Sequence, residues 1–203
     1  MANVSRINGF TPVKHISGAP YNGQFNLYEI VAGDGTTTHI GDLVKGDTGA
    51  GTEGYMTCVR FAASGQATSG VPIGVIVGFK NDPTNLNYPQ YRAASTKRIA
   101  MVCDDPGMIY EVQDGAVTAN LVSQTTIGLN TGVTCTIGVT TGSNSLMATG
   151  TTAPDTTATL PLRVMGIKRA PDNNDGAQTP LIYQKVYVML NSHQFGSVGT
   201  TGV

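Results

Sequence analysis

Nothing in this chain keeps a helical period for long. Short runs rich in Val, Ile and Thr recur instead, each closed by Gly, Asn or Asp. Such runs between turn residues predict many short strands. Residues 27–31, 36–44, 55–61, 97–103, 108–113, 123–129, 133–140 and 184–190 read this way, and residues 156–169 read as a long strand kinked at Pro161. Val71-Pro-Ile-Gly-Val-Ile-Val-Gly-Phe is apolar on both faces, which suits a central strand, with Gly74 and Gly78 permitting close packing. Asp104-Asp-Pro-Gly predicts a turn, with Pro106 and Gly107 placed for type II and the flanking strands joined as a hairpin. The expected fold class is all-β, a β-sandwich or β-barrel with an extended N-terminal arm.

Charge narrows the function. Only 12% of the 203 residues are charged, about half the usual share, and the formal net charge is -1. From Gly115 to Leu162 the one charged side chain is Asp155. That stretch is interrupted by Gly, Asn and Thr too often to span a membrane. It has almost no group able to move a proton near neutral pH, and it suits packing against other protein. The balance argues against nucleic acid, which calls for a basic patch, and against a polybasic membrane contact. Cys58, Cys103 and Cys135 are odd in number and lack a C-x-x-C, so they read as small buried hydrophobes. The first residues lack an apolar core, so synthesis in a cytosol without a signal peptide is expected.

Motifs of catalysis and ligation are weak. Gly49-Ala-Gly-Thr-Glu-Gly matches G-x-G-x-x-G, but strand-like sequence follows it where a dinucleotide site requires a helix. Asp104, Asp105, Glu111 and Asp114 form an acidic cluster that reads mainly as turn chemistry and secondarily as a cation site or hydrolytic pair. No nucleophile–base pair accompanies it, so an enzyme is not expected. His15, His39 and His193 lie far apart, and Asp172-Asn-Asn-Asp-Gly lacks the Glu that would complete a calcium loop. Arg92, Lys97 and Arg98 read as a solvated strand edge. Neither a metal nor another cofactor is called for.

Three segments follow from the pattern: an arm over residues 1–25, a β-body over 26–190 that could be two packed units (26–115 and 116–190), and a flexible tail over 191–203. Pro12 and Pro20 rule out regular ladders around them, yet Ile7, Phe10, Val13, Ile16 and Tyr21 give the arm apolar side chains. Such an arm either wraps its own domain or lies on a neighbouring subunit and adds a strand there.

Gly9-Phe-Thr-Pro-Val-Lys-His, Pro20-Tyr-Asn-Gly-Gln and Gly41-Asp-Leu-Val resemble the start of capsid decoration (cement, head-stabilisation) proteins of tailed bacteriophages. Gly70-Val-Pro-Ile-Gly-Val-Ile-Val-Gly-Phe, Tyr91-Arg-Ala-Ala-Ser-Thr-Lys-Arg-Ile-Ala-Met-Val-Cys-Asp-Asp-Pro, Tyr110-Glu-Val-Gln-Asp-Gly and Thr159-Leu-Pro-Leu-Arg-Val-Met-Gly-Ile continue the resemblance across most of residues 9–175. It implies a structural protein on the outer surface of the virion capsid, made in the host bacterial cytoplasm. It would be a homotrimer that bridges subunits of the major capsid protein, with no catalytic residues. Phe10, Pro12, Val13, Ile16 and Tyr21 are the candidate contacts with capsid or sister subunit. Deleting residues 1–20 is then expected to abolish binding and leave the β-body folded. The rival reading is a tail, fibre or adhesin-type β binding module.

Overall fold

The computed structural model describes residues 4–64, 67–68, 70–116, 121–138, 144–171, 173, 182–196 and 202. It is all-β, as expected, with no α-helix among the described residues. Two five-stranded antiparallel sheets carry the fold. The first runs in the order β1 (Thr11–His15), β9 (Met108–Gln113), β14 (Lys185–Leu190), β13 (Leu162–Ile167), β10 (Asn130–Thr131). The second runs β2 (Asn26–Ile30), β8 (Arg98–Cys103), β7 (Pro72–Phe79), β3 (Leu43–Gly46), β4 (Cys58–Arg60). Two ribbons, β5–β6 (Ala63–Ser64 and Ala67–Thr68) and β11–β12 (Val133–Thr136 and Leu146–Thr149), complete the strands among the described residues.

The second sheet bends back on itself. Glu29 of β2 bridges Thr57, just before β4, in parallel, and its N–H donates to the Met56 carbonyl at 3.0 Å. The two edges of the sheet therefore meet at this bridge, which curls the sheet into a barrel. Tyr28, Ile30, Val44, Cys58, Ile73, Ile76, Ala100 and Val102 fill the interior so formed. A second and larger core lies between the outside of this barrel and the first sheet. Phe10, Leu43, Val75, Cys103, Tyr110, Val164 and Val188 belong to it. Adjacent residues Leu43 and Val44 thus face different cores, as the two-residue period of a strand demands. In β7 the register slips so that Ile73 is an extra residue between the partners of Val44 and Lys45. That bulge lets Ile73 and Ile76 enter the barrel while Val75 faces the larger core. Gly74 is required there: a Cβ would lie 2.1 Å from the Cys103 carbonyl oxygen.

The uncharged stretch is fastened by charges outside it. Buried Asp42 accepts hydrogen bonds from Ser145 Oγ (2.6 Å), Arg60 Nε (2.9 Å) and the His39 N–H (2.8 Å). Arg60 goes on to the carbonyls of Cys135 and Thr136. Buried Asp114 accepts from Thr149 Oγ1 and from the N–H groups of Ala116 and Val122. The body is therefore interleaved rather than divided at residue 115: β9, β14, β13 and β10 share one sheet.

Several local expectations change. Residues 123–129 form a 3-10 turn (Gln124–Thr126), closed by Ser123 N–H on Thr126 Oγ1 at 2.8 Å, and not a strand. Residues 156–161 are not strand, and β12 is a strand beyond those predicted. Asp104–Gly107 does not close a hairpin, because β8 lies in the second sheet and β9 in the first. Nor is the turn type II, since Gly107 lacks the positive φ required at the third position. A Cβ at Gly107 would lie 2.2 Å from Nε2 of the partly exposed His15 ring, so a side chain there would displace that ring.

Candidate contact surface

The N-terminal segment is part of its own domain. β1 pairs with β9 as the edge strand of the first sheet, with Val13 bulged out of register between Pro12 and Lys14. Pro12 cannot donate to a ladder, and edge position plus bulge accommodates it. The chain then doubles back, with the His15 N–H on the Ala19 carbonyl and the Tyr21 N–H on the Val13 carbonyl. Phe10 is 2% exposed and meets the Tyr110 ring edge-on with centroids 6.4 Å apart, so it is core and not contact surface. Pro12, Val13 and Tyr21 are half-buried. Phe10, Pro12 and Tyr21 line a groove of about 430 Å³ between the two sheets, with Ile76 and Val77 across it. Ile16, at 55% exposure, is the one residue of the predicted set that projects fully.

Ile16 belongs to an apolar end of the molecule. Its N–H donates to the Gly107 carbonyl, which places it beside the link between the sheets. Phe25, also exposed, lines a shallow pocket with Asp104, Asp105 and Met108 of that link. Gly196 packs against Pro106, which brings Phe195, 52% exposed, to the same end. The Gln194 N–H binds the Pro72 carbonyl next to exposed Val71, and the Gln194 side chain accepts from the Gly46 N–H. Exposed Met56 reaches the same side of Gly46. Ile16, Phe25, Met56, Val71 and Phe195 thus surround one end of the barrel, and apolar groupings of this kind mark contact sites. Only Ile16 is legible as a contact in the sequence. The others come from separate loops, and no spacing rule connects them.

Of the tail expected over residues 191–203, residues 191–196 and 202 are described, and these are tied down. Asn191 is buried and donates from Nδ2 to the carbonyls of Ala158 and Leu160, and the Gly202 N–H reaches the Thr156 carbonyl. His193 is buried, and its Nδ1 accepts from the Phe195 N–H at 3.0 Å. Burial pushes the His193 imidazole below its ordinary value, against the opposing pull of the Ile73 and Asp104 backbone and the charges of Asp104 and Asp105. Asn191 and His193 therefore help to hold Phe195 in place.

The acidic cluster does not converge. Asp104 accepts from Tyr28 Oη and Asn26 Nδ2, and Asp105 accepts from the Gly107 N–H. Glu111 is bridged by Lys168 and Lys185, while Asp114 is the internal hub already described. Among the described residues no group of three His, Cys, Asp or Glu side chains could hold a metal ion. Asp172 and residues 174–176 lie outside the described residues. Asn173 pins the carbonyls of Lys168 and Lys185 with its Nδ2. The three histidines stay apart, and Cys58 and Cys103 are buried thiols, that of Cys58 pushed up to about 12 by burial.

The glycine loop at 49–54 already holds an anion of its own. The carboxylate of buried Glu29 accepts from the N–H groups of Thr52 (2.8 Å) and Glu53 (2.9 Å) and from Thr52 Oγ1. Successive backbone N–H groups form the concavity that phosphate would fill in a nucleotide site. Burial opposes ionisation of Glu29, yet these hydrogen bonds together with Lys97 hold its carboxyl below the ordinary value.

The basic stretch is not a solvated edge. Arg92 is fully buried and Arg98 nearly so, while Lys97 is exposed and paired with Glu53. No helix among the described residues is long and apolar enough to cross a membrane. Family models, curated proteins and solved structures were all compared with this chain, and none of them matches.

Proposed function

We propose that the protein is a structural virion protein, a capsid decoration protein that binds the outer surface of a phage head and bridges neighbouring subunits of the major capsid protein. The observation that carries the reading is the apolar end around the link between the sheets, where Ile16, Phe25, Met56, Val71 and Phe195 are exposed together. The resemblance of residues 9–175 to decoration proteins and the low charge of the chain point the same way. Each copy buries a modest interface, and many copies on one shell, associated as homotrimers, add through effective concentration. A contact with so few charges depends little on ionic strength.

Deleting residues 1–20 cannot test this, because it removes β1 and the core residue Phe10. The test is Ile16→Ser with Phe195→Ser, two exposed positions, in a sedimentation assay on heads stripped of the protein, alongside immunogold labelling of intact virions. The expected results are gold over the head and a loss of binding of about tenfold or more, as central apolar contacts dominate interfaces. Undiminished binding by the folded double variant would remove the apolar end from the contact. Gold confined to tails would replace the reading with a fibre or adhesin-type module.

A further inference from the structure

The far end of the barrel carries a different site. β7 and β8 run from the apolar end, at Pro72 and Asp104, to Lys80 and Arg98 at the other. The eight residues of β7 span about 26 Å at the usual rise of a strand. There a basin of about 450 Å³ is lined by Glu53, Lys80, Asp82, Thr84, Lys97 and Arg98 among others.

Arg98 is 7% exposed, yet no carboxylate lies within ion-pair distance of it among the described residues. Its guanidinium sits between two aromatic rings, 5.2 Å from the Phe79 centroid and 5.0 Å from that of Tyr88. Contact with two rings restricts the orientation of the group. Nη1 makes a long bond of 3.3 Å to the Pro89 carbonyl, and buried Nε has no partner. The neighbouring anion Asp82 attracts Arg98 without reaching ion-pair distance. Asp82 accepts from the Thr84 N–H (2.8 Å) and Thr84 Oγ1 (2.6 Å), and Glu53 pairs with Lys97. A buried cation whose counter-charge stays beyond contact distance is poorly compensated, and a guanidinium is matched to a planar oxyanion.

We infer that this basin binds a carboxylate, presented by an acidic side chain of a protein partner, with Arg98 as the oriented donor and Lys80 as the second charge. The lining groups decide between anions. Three cations against two carboxylates leave one positive charge, which suits a monoanion, while a phosphate dianion would face Glu53 and Asp82. The inference concerns the chain by itself and stands apart from the capsid reading: carboxylate binding can hold or fail wherever the protein resides.

The experiment is a nitrogen-15 NMR titration of the full-length protein with acetate, with a terminally blocked peptide bearing one Glu, with inorganic phosphate, and with chloride at matched ionic strength. Arg98 Nε–H and the amides of Lys80 and Thr84 should shift saturably with acetate and with the peptide. Saturation by the peptide at lower concentration assigns the carboxylate to a protein side chain, while equal or weaker binding by the peptide overturns that source. Arg98→Lys, which keeps charge and loses the planar fork, should weaken binding about tenfold or more. Lys80→Ala, at an exposed position, should weaken it by a smaller factor and keeps the test open should Arg98→Lys disturb the fold. Shifts that never saturate, that chloride reproduces, or that persist in both variants overturn the site. Tighter binding of phosphate than of acetate overturns the choice of a monoanion.

Discussion

Arg92 and Arg98 come from one short basic stretch, both are withdrawn from solvent, and their surroundings are opposite. Arg92 uses all of its donors. Nε binds the Thr96 carbonyl, Nη1 binds Asp34 Oδ2 and the Thr36 carbonyl, and Nη2 binds the carbonyls of Val31 and Asp34. It knots the loop after β2 to the segment before β8. Arg98 has two aromatic faces and one long bond. Burial alone therefore does not make an arginine structural. The difference lies in whether the fold supplies the acceptors. The first region closes on itself, and the second leaves donors for something else.

The sharpest way to break this comparison is Arg92→Met. The change leaves the Asp34 carboxylate and four carbonyls without their shared partner, and removing one member of a buried ion pair typically destabilises by about 3–5 kcal/mol. Urea denaturation of the variant should show a loss of that order. A loss below about 1 kcal/mol would mean that solvent replaces the guanidinium easily and that the knot is not structural.

Glu29 is the anionic counterpart of Arg92, a charge satisfied wholly from within. Glu29→Gln removes the charge and replaces one of the two acceptor oxygens that serve Thr52 and Glu53 with an NH2 group. The expected loss is about 1–3 kcal/mol, the usual effect of an unsatisfied buried donor. Its pH dependence separates it from a packing defect. Because the folded carboxyl titrates below its ordinary value of 4.5, the contribution is complete above that pH and disappears as pH falls through the folded value. Wild type and variant should therefore differ fully at neutral pH and converge in acid, as measured by midpoint shifts across a pH series. A gap that stays constant below pH 4.5 would place the loss in packing and not in the charge.

These two groups also show how far the sequence could be read. The run from Val71 to Phe79 announces a central strand because its side chains are apolar on both faces, and the two cores on either side of β7 explain why. Asp104-Asp-Pro-Gly announces a chain reversal, but a turn signal says nothing about which strand will be the partner. Cys103 and Met108 both enter the larger core while their strands join different sheets. Arg92 and Arg98 look solvated in sequence because the carbonyls and rings that cover them come from residues 31–36 and 79–89. Ile16 was legible as an apolar residue in an arm without regular structure. Phe195 was not, because its place depends on Gln194 meeting Pro72 and Gly196 meeting Pro106 across the fold.

The smallest expected effect on stability tests the other half of the comparison. Arg98→Met keeps a long flexible side chain between Phe79 and Tyr88 and creates no unpaired carboxylate. It forfeits the attraction of a cation for the two rings, about 1 kcal/mol, and one long bond to the Pro89 carbonyl. Burying a thioether in place of an unpaired charge offsets part of that loss, as apolar replacements of buried charges often do. Urea midpoints for Arg98→Met and Arg92→Met, measured side by side, should therefore differ severalfold in their displacement from wild type. Equal displacements would make Arg98 a strut of the loop at 81–90, and its unfilled donors would then be tolerated for stability instead of kept for a carboxylate.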